Sequence, residues 1–358
     1  MKKLRGTSLF CGIGVGIDEM REHIEKAASV GINALFTSLQ LPEADKDELF
    51  RDFPIMTELA HRHGMIVEAD INHRTSDIFG LDLHDIEAFK NLGVDYVRID
   101  GAYTDEDIVK ATHNEVDATI VLNAALATDE WLSKLCKLGI KSEQVSFCHN
   151  YYPMRYTGLT VEETQRMNDV IHRYGFRVSG FLASQSHKRI GCSIGLPTLE
   201  RHREMNVITA AQESFLLGMD DLFFGDDLAD ISELKALAEA DDEIVTLRIH
   251  PLIEGEIMDW LLDRPLEQTQ NGLEMILRSN YMRSSYPGNA DNTPSCTRRR
   301  GDVTVCKSPL LRYSGEIQLV RKDLPMDPYI GLIGRIIDED LPLLDIFKTR
   351  KKFKLVRC

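Results

Sequence analysis

Along the first 230 residues one pattern recurs. A segment with apolar residues at helical spacing ends in Gly or Asn, and a short run rich in Val, Ile and Phe follows within a few positions. Gly31 precedes the run 34–39, Gly64 precedes 65–71, Gly93 precedes 94–99 and Asn114 precedes 118–122. Gly139 then precedes 144–148, Gly175 precedes 177–183 and Gly218 precedes 222–225. Gly and Asn suit the left-handed residue that closes a helix. The runs after them have the length and composition of strands. A strand over 4–10 comes before the first of these transitions. An amphipathic helix at about 230–240 (Ile231, Leu234, Leu237, Ala238) follows the last. Eight strands alternating with helices through short links imply parallel pairing, and eight such units over some 240 residues imply a (β/α)8 barrel. An open doubly wound sheet is the weaker alternative, because no Gly-x-Gly-x-x-Gly follows the first strand.

The pattern stops near Asp241. Beyond it helices are scarce, and strand-like runs stand at 244–249, 302–306, 316–320, 330–337 and 353–357. The chain therefore reads as an α/β protein of two domains. A barrel occupies 1–242, and a smaller, mainly β domain, a barrel or a sandwich, occupies 243–358.

Composition changes this picture little. The 358 residues are 43% hydrophobic and 28% charged, which supports a packed core and excludes a disordered or fibrous chain. The net charge of −15 repels a phosphate backbone, so nucleic acid is not an expected partner. Seven scattered cysteines without a Cys-x-x-Cys pair argue against a disulfide framework or a cysteine zinc site. The N-terminal 17 residues superficially resemble a signal peptide, but Gly6, Gly12, Gly14 and Gly16 break the apolar helix that one requires. No stretch approaches the length of a membrane span, so no membrane partner is expected.

In a barrel of this type the chemistry sits at the C-terminal ends of the strands. Alternation along each strand decides which residues point inward. On the third strand Glu68, Asp70 and Asn72 share a face opposite Val67, Ala69 and Ile71. On the fourth, Tyr96, Arg98 and Asp100 share a face opposite Val97 and Ile99. The apolar faces belong against the helices, so the polar faces look inward. The mouth should then gather Glu43, Asp70, Arg98, Asp100, Asn123, His149, Asn150 and Asp226. Clustered carboxylates beside one Arg and several amides suit acid–base chemistry on a sugar, because crowded like charges push one pKa up and leave the partner ionised. Plainer roles compete. Glu68 fits a structural partner of Arg98, Arg98–Asp100 a structural pair, Glu43 a first-turn helix acid, and His149 a satisfied core histidine. Asp227 and Asp230 fit capping or solvated acids.

The strand ends carry no Lys, against a Schiff-base aldolase. No His-x-His follows the first strand, and no metal or organic cofactor is expected. The loop after the seventh strand is basic (His187-Lys188-Arg189) and leads to Arg201-His202-Arg203. That loop is a customary phosphate seat of barrels, which makes Lys188, Arg189 and Arg203 candidates. Arg283 and the arginine run 298–300 of the second domain are the alternatives.

Several segments together resemble the 6-phospho-N-acetylmuramidase family. They are Phe36-Thr37-Ser38-Leu39-Gln40-Leu41-Pro42-Glu43, Ala69-Asp70-Ile71, Arg98-Ile99-Asp100, Leu122-Asn123-Ala124 and His149-Asn150-Tyr151-Tyr152-Pro153. Gly195-Leu196-Pro197-Thr198-Leu199-Glu200-Arg201-His202-Arg203, Gly225-Asp226, Gly301-Asp302-Val303-Thr304-Val305 and Arg312-Tyr313-Ser314-Gly315-Glu316-Ile317-Gln318 complete the set. The resemblance implies a TIM barrel followed by a cyclophilin-like β-barrel domain. It implies a cytoplasmic glycoside hydrolase of peptidoglycan recycling that cuts the β-1,4 bond of 6-phospho-N-acetylmuramic acid–N-acetylglucosamine. Its partner is then a small phosphorylated amino-sugar disaccharide; self-association into a homo-oligomer is left open. Under this reading Asp70, Asp100 and Glu43 are the catalytic candidates. Arg98, Asn123, His149, Asn150, Tyr151, Glu200 and Asp226 are substrate contacts. The chain departs from the family pattern at Asn72-His73, at Met154-Arg155-Tyr156 and at Ile190-Gly191-Cys192-Ser193, all at the rim, which leaves room for a sister specificity toward another phosphorylated disaccharide. A non-catalytic sugar- or peptide-binding protein and a barrel isomerase or lyase for sugar phosphates are the alternatives.

Overall fold

The structure is a computed structural model. It describes all residues except 1–2, 102, 190, 192, 270–273, 280–289 and 348–350, and the side chains of 73, 74 and 76. The chain divides into two compact units, Met1–Ala240 and Asp241–Cys358.

The first unit is a closed parallel barrel. Its strands are β1 (Arg5–Ser8), β2 (Ala34–Ser38), β3 (Ile66–Ile71), β4 (Tyr96–Ile99), β5 (Thr119–Asn123), β6 (Val145–Cys148), β7 (Arg177–Leu182) and β8 (Asp221–Asp227). They pair in chain order, and β8 closes on β1. Six of the seven expected helix ends carry a glycine at positive φ: Gly31, Gly64, Gly93, Gly139, Gly175 and Gly218. At the seventh, the Asn114 side chain bonds the Ala118 N–H and C=O and turns the chain instead. Helix starts are fixed by side-chain caps from Asp45, Thr104, Thr128, Thr160, Asn206 and Asp230.

Alternation partitions each strand. Leu35, Val67, Ala69, Val97, Ile120, Phe147 and Val178 are buried on the helix side; Phe147, for example, meets Trp131 of the helix Asp129–Lys137 edge-on at 6.3 Å. The inward residues Phe36, Val121, Cys148, Phe181 and Phe223, with Phe10, fill the barrel. Phe36 lies 4.9 Å from Phe181 and 6.2 Å from Phe223 between centroids, both edge-on. This aromatic layer is the floor beneath the mouth. At the opposite end Asp221 accepts from the Leu4 N–H at 2.6 Å and from Arg177 at 2.6 Å, tying β1, β7 and β8.

The second unit is one seven-stranded sheet. Its strands are β9 (Ile244–Pro251), β10 (Leu266–Glu267), β11 (Ile276–Arg278), β12 (Asp302–Cys306), β13 (Ile317–Val320), β14 (Ile330–Ile336) and β15 (Lys352–Arg357). The order is β10-β15-β9-β14-β12-β13-β11, antiparallel except for β15 on β9. The two edge strands approach each other just past their ends, where Gln268 bridges Ser279 antiparallel and the Thr269 N–H bonds the Arg278 carbonyl at 2.8 Å, so the sheet curls; the expected cyclophilin-like form is not shown by this. The five expected runs each correspond to a strand. The short β10 and β11 and the helix Glu256–Leu261 were not expected. Arg298 bonds the Pro325 carbonyl, and Arg300 pairs with Asp345 at 2.8 Å, both inside this unit. Arg283 lies outside the described residues. The six described cysteines are free thiols. No helix among the described residues is long and apolar enough to cross a membrane.

Two glycines show how tightly the barrel closes. A Cβ on Gly6 would sit 2.0 Å from the Phe223 ring. A Cβ on Gly225 would sit 2.1 Å from the Leu196 carbonyl oxygen, where the loop after β7 lies against β8. The second obstacle is backbone and cannot swing aside. Gly225→Ala should therefore destabilise the protein by about 1–3 kcal/mol, the usual cost of overpacking. A fall in the denaturant midpoint at unchanged slope is the expected result; an unchanged midpoint would mean that this close approach does not exist.

Candidate active site

The β3–β4 ladder sets Asp70 opposite Arg98, and the β2–β3 ladder sets Ser38 opposite Asp70. Inward parity then brings the side chains together at the mouth. Arg98 donates through Nη1 to Asp70 Oδ1 at 2.5 Å and through Nη2 to Asn150 Oδ1 at 2.7 Å. Asn123 donates to the same Asn150 oxygen at 3.2 Å, and its own oxygen accepts from the Ala125 N–H. Gln40 donates to Asp100 Oδ2 at 3.1 Å and also faces Asp70. One amide thus spans the two carboxylates. They line a cavity of about 580 Å³ with Ser38, Asn72, Arg98, Asn150, Tyr151 and Tyr152.

The carboxylates differ in their surroundings. Asp70 is buried, whereas Asp100 is exposed at the rim. Burial pushes the Asp70 pKa up and the negative Asp100 adds to the rise; together they outweigh the opposing Arg98. Beneath them Glu68 is fully enclosed. Burial raises its pKa to about 8 against the pull of Arg98. The bland reading of Glu68 as the ion partner of Arg98 is corrected: that contact goes to Asp70, which stands directly across the ladder. Arg98–Asp100 is likewise not the structural pair, since Asp100 is held by Gln40.

Several expected residues serve the architecture instead. His149 does not reach the mouth. Cys148 and Asn150 take the inward positions of β6, so His149 points the other way, to Asn168 of the helix Val161–Arg173 at 2.7 Å. Burial lowers its pKa to about 4. Asp226 is not a wall of the cavity. It accepts backbone N–H bonds from Ser184, Arg189 and Leu196 at 3.0–3.1 Å and so shapes the loop after β7. Glu200 and Arg203 bond each other at 2.6 Å. That contact holds the Glu200 pKa down at about 2. Arg203 donates on to the carbonyls of Tyr152, Gly195 and Met154, and Glu200 accepts from the Gly158 N–H. Neither is left facing the cavity. Lys188 turns back to the Ser184 carbonyl of its own loop. Asp227 is neither cap nor solvated acid: it is buried, with His187 beside it at 3.3 Å. Asp230 does cap the helix Ile231–Glu239.

Of the basic loop, Arg189 comes nearest the cavity: it is buried and not part of the lining, but it packs on Tyr151, which is. It lies over the rings of Phe10 (5.0 Å) and Tyr151 (5.4 Å), donates to the Tyr151 hydroxyl at 3.2 Å, and comes within 3.9 Å of Glu43. Glu43 itself is half exposed beyond the lining. Ile190 and Cys192 lie outside the described residues. Sequence reasoning missed Gln40, Ser38 and Tyr152. The parity that found Asp70 also places Ser38 and Gln40 on one inward face, so the signal for them was present. Among the described residues no three His, Cys, Asp or Glu side chains are grouped to hold a metal ion.

Glu68 yields a stability prediction. Its folded pKa of about 8 exceeds the ordinary 4.5, so the folded state keeps a proton that the unfolded chain releases. Its contribution is complete below about pH 4.5 and is lost as pH rises through 8. Each unit of that displacement is worth about 1.4 kcal/mol. Glu68→Gln should therefore lose less stability between pH 5 and pH 9 than the wild type, by at least that amount. Parallel stability–pH curves for the two proteins would overturn the assignment.

Comparison with known proteins follows this geometry. The sequence profile of the 6-phospho-N-acetylmuramidase N-terminal domain matches residues 5–239, and that of the C-terminal domain matches residues 246–356. An uncharacterized protein of B. cereus has a similar fold, with 24% identity over 99% of this chain and 100% of that one at a TM-score of 0.85. A conserved protein of unknown function from Enterococcus faecalis is 26% identical over 99% of this chain and 96% of that one, with a TM-score of 0.69. No functionally curated protein matches the chain. The chain belongs to the 6-phospho-N-acetylmuramidase family.

Proposed function

We propose that this member of the 6-phospho-N-acetylmuramidase family is a glycosidase. Its substrate is the phosphorylated disaccharide 6-phospho-N-acetylmuramic acid–N-acetylglucosamine, cut at the β-1,4 bond in the cytoplasmic recycling of peptidoglycan. The observation that carries the reading is the pair of unlike carboxylates, Asp70 and Asp100, facing one amide of Gln40 in the cavity wall.

The roles follow from the environments. Asp70, whose pKa burial raises against the pull of Arg98, is the group placed to pass a proton to the glycosidic oxygen as the bond to the leaving sugar breaks. Asp100 is open to the cavity and places negative charge near the anomeric carbon, where positive charge develops. Arg98 and Asn150, with Asn123 bracing Asn150 from behind, form a fixed hydrogen-bonding wall for sugar hydroxyls, and Tyr151 and Tyr152 offer aromatic surface to the ring. Arg189, braced by Tyr151, is the group that receives the phosphate, through charge-assisted hydrogen bonds.

Release of N-acetylglucosamine from the phosphorylated disaccharide is the first test; no release would sink the reading. The β-fluoride of the same phosphorylated sugar then separates the carboxylates, because fluoride leaves with little help from an acid. Asp70→Asn should lose about 100-fold or more on the disaccharide and much less on the fluoride. Asp100→Asn should lose heavily on both. Equal losses on both substrates for Asp70→Asn would remove its role as acid.

Arg189→Met tests the phosphate seat. A hydrogen bond to a charged group is worth about 1.5–3 kcal/mol. The preference in kcat/KM for the phosphorylated over the unphosphorylated disaccharide should therefore shrink about 10- to 100-fold. A preference equal to that of the wild type would place the phosphate elsewhere.

A further inference from the structure

The inward face of β3 carries a second acid below Asp70. Glu68 stands two residues earlier on the same face. Phe36 lies across the ladder on one side and Tyr96 on the other, with Arg98 on the diagonal. Glu68 is 2% exposed. The titratable groups that act on it are Asp70 of its own strand, Tyr96 and Arg98 of β4, Cys148 of β6 and Asp221 of β8. Of these only Arg98 is a cation, and its two terminal nitrogens already go to Asp70 and Asn150.

Two polar atoms in this layer are left over. One oxygen of Glu68 and the Nε–H of Arg98 are buried and have no hydrogen-bond partner among the described residues. The carboxyl group bonds the Cys148 thiol instead. A neutral carboxylic acid can be enclosed in this way, whereas a carboxylate cannot be kept there without a cation. An ionised Glu68 would turn to the one donor of Arg98 that is still open. The guanidinium would then move down from the mouth, and Asp70 and Asn150 would lose the group that fixes them.

We propose that Glu68 is a positioning residue of the site: as a neutral acid it leaves the guanidinium of Arg98 to Asp70 and Asn150, and as an anion it draws the guanidinium away from both. The inference rests on the glycosidase reading above and adds to it a group that touches no substrate. It gives the reaction an upper pH limit set beneath the carboxylates. That limit is separate from the loss of the proton that Asp70 passes to the leaving sugar. Burial, opposed by Arg98, pushes the Glu68 pKa up to about 8, which locates the limit.

The β-fluoride of the phosphorylated sugar isolates this effect, because fluoride leaves with little help from Asp70. On that substrate the wild-type kcat/KM should be halved near pH 8 and should be about 10-fold down by pH 9. Glu68→Gln has the shape of the protonated acid and is neutral at every pH. Its kcat/KM on the fluoride at pH 9 should therefore stay within about twofold of its own value at pH 7. Over the same range the infrared stretch of a protonated carboxyl group should disappear from the wild type, and that step should be missing from Glu68→Gln. The inference is overturned if the wild-type fluoride profile is level to pH 9, if Glu68→Gln falls in parallel with it, or if the infrared step survives in the variant. A wild-type protein that cleaves neither the fluoride nor the disaccharide at any pH is a different failure: it removes the glycosidase reading, and the role of Glu68 with it.

Discussion

The mouth of the barrel is organised around one buried ion pair, Asp70 with Arg98. Two charges taken out of water are costly unless their remaining bonding capacity is met. Here the second branch of the guanidinium goes to Asn150, and Asn123 supports the same oxygen. The pair therefore fixes side chains from β3, β4, β5 and β6 in one arrangement. The same burial that makes the pair expensive keeps Asp70 prone to carry a proton. The neighbouring Asp100, outside that enclosure, meets the cavity directly. The two carboxylates differ in depth and in partner: Asp70 is buried against Arg98, whereas Asp100 is exposed and held by Gln40.

Charge near the mouth is consequently a poor guide to what meets a ligand. Arg203, Glu200 and Lys188 in loops and Asp226 at the end of β8 all lie at the C-terminal face, and all are engaged in holding those loops. The economy is sensible. A loop over a barrel has many backbone N–H and C=O groups that no ladder satisfies, and a buried charged side chain can bind three or four at once. Asp226 does this for N–H groups and Arg203 for carbonyls. Arg189 differs in that its guanidinium lies over the faces of Phe10 and Tyr151, the second of which lines the cavity.

Those contrasts explain what was legible in the sequence. The barrel was readable because each helix-to-strand transition carries a local signal: a glycine that reaches a left-handed angle in six cases and Asn114 in the seventh, then an apolar run. Asp70, Arg98 and Asp100 were readable because parity within a regular strand is a rigid rule. His149 was misplaced because it stands one residue past the end of β6, and the two residues of His149-Asn150 were both carried inward. Gln40 was overlooked for a chemical reason, since a neutral amide draws less attention than the acid at Glu43 three residues later. Arg203 and Glu200 could not be read at all. Their partners are carbonyls and N–H groups around 40–50 residues away in the chain, which no local pattern announces. In the second unit, strands of two and three residues, β10 and β11, fall below any periodicity.

The site therefore separates into a deep layer and a rim that obey different constraints. In the deep layer Asp70, Arg98, Asn150 and Asn123 are one another's partners, so replacing Arg98 or Asn150 would strand a buried charge or acceptor and threaten the fold along with the chemistry. At the rim the backbone is fixed from below, by Arg203 and Glu200, while the side chains of Met154 and Tyr156 project without structural duty. Asn72, just past the end of β3, lines the cavity, and Met154-Arg155-Tyr156 lie exposed on the turn after β6. That is where a change of side chain costs the barrel least.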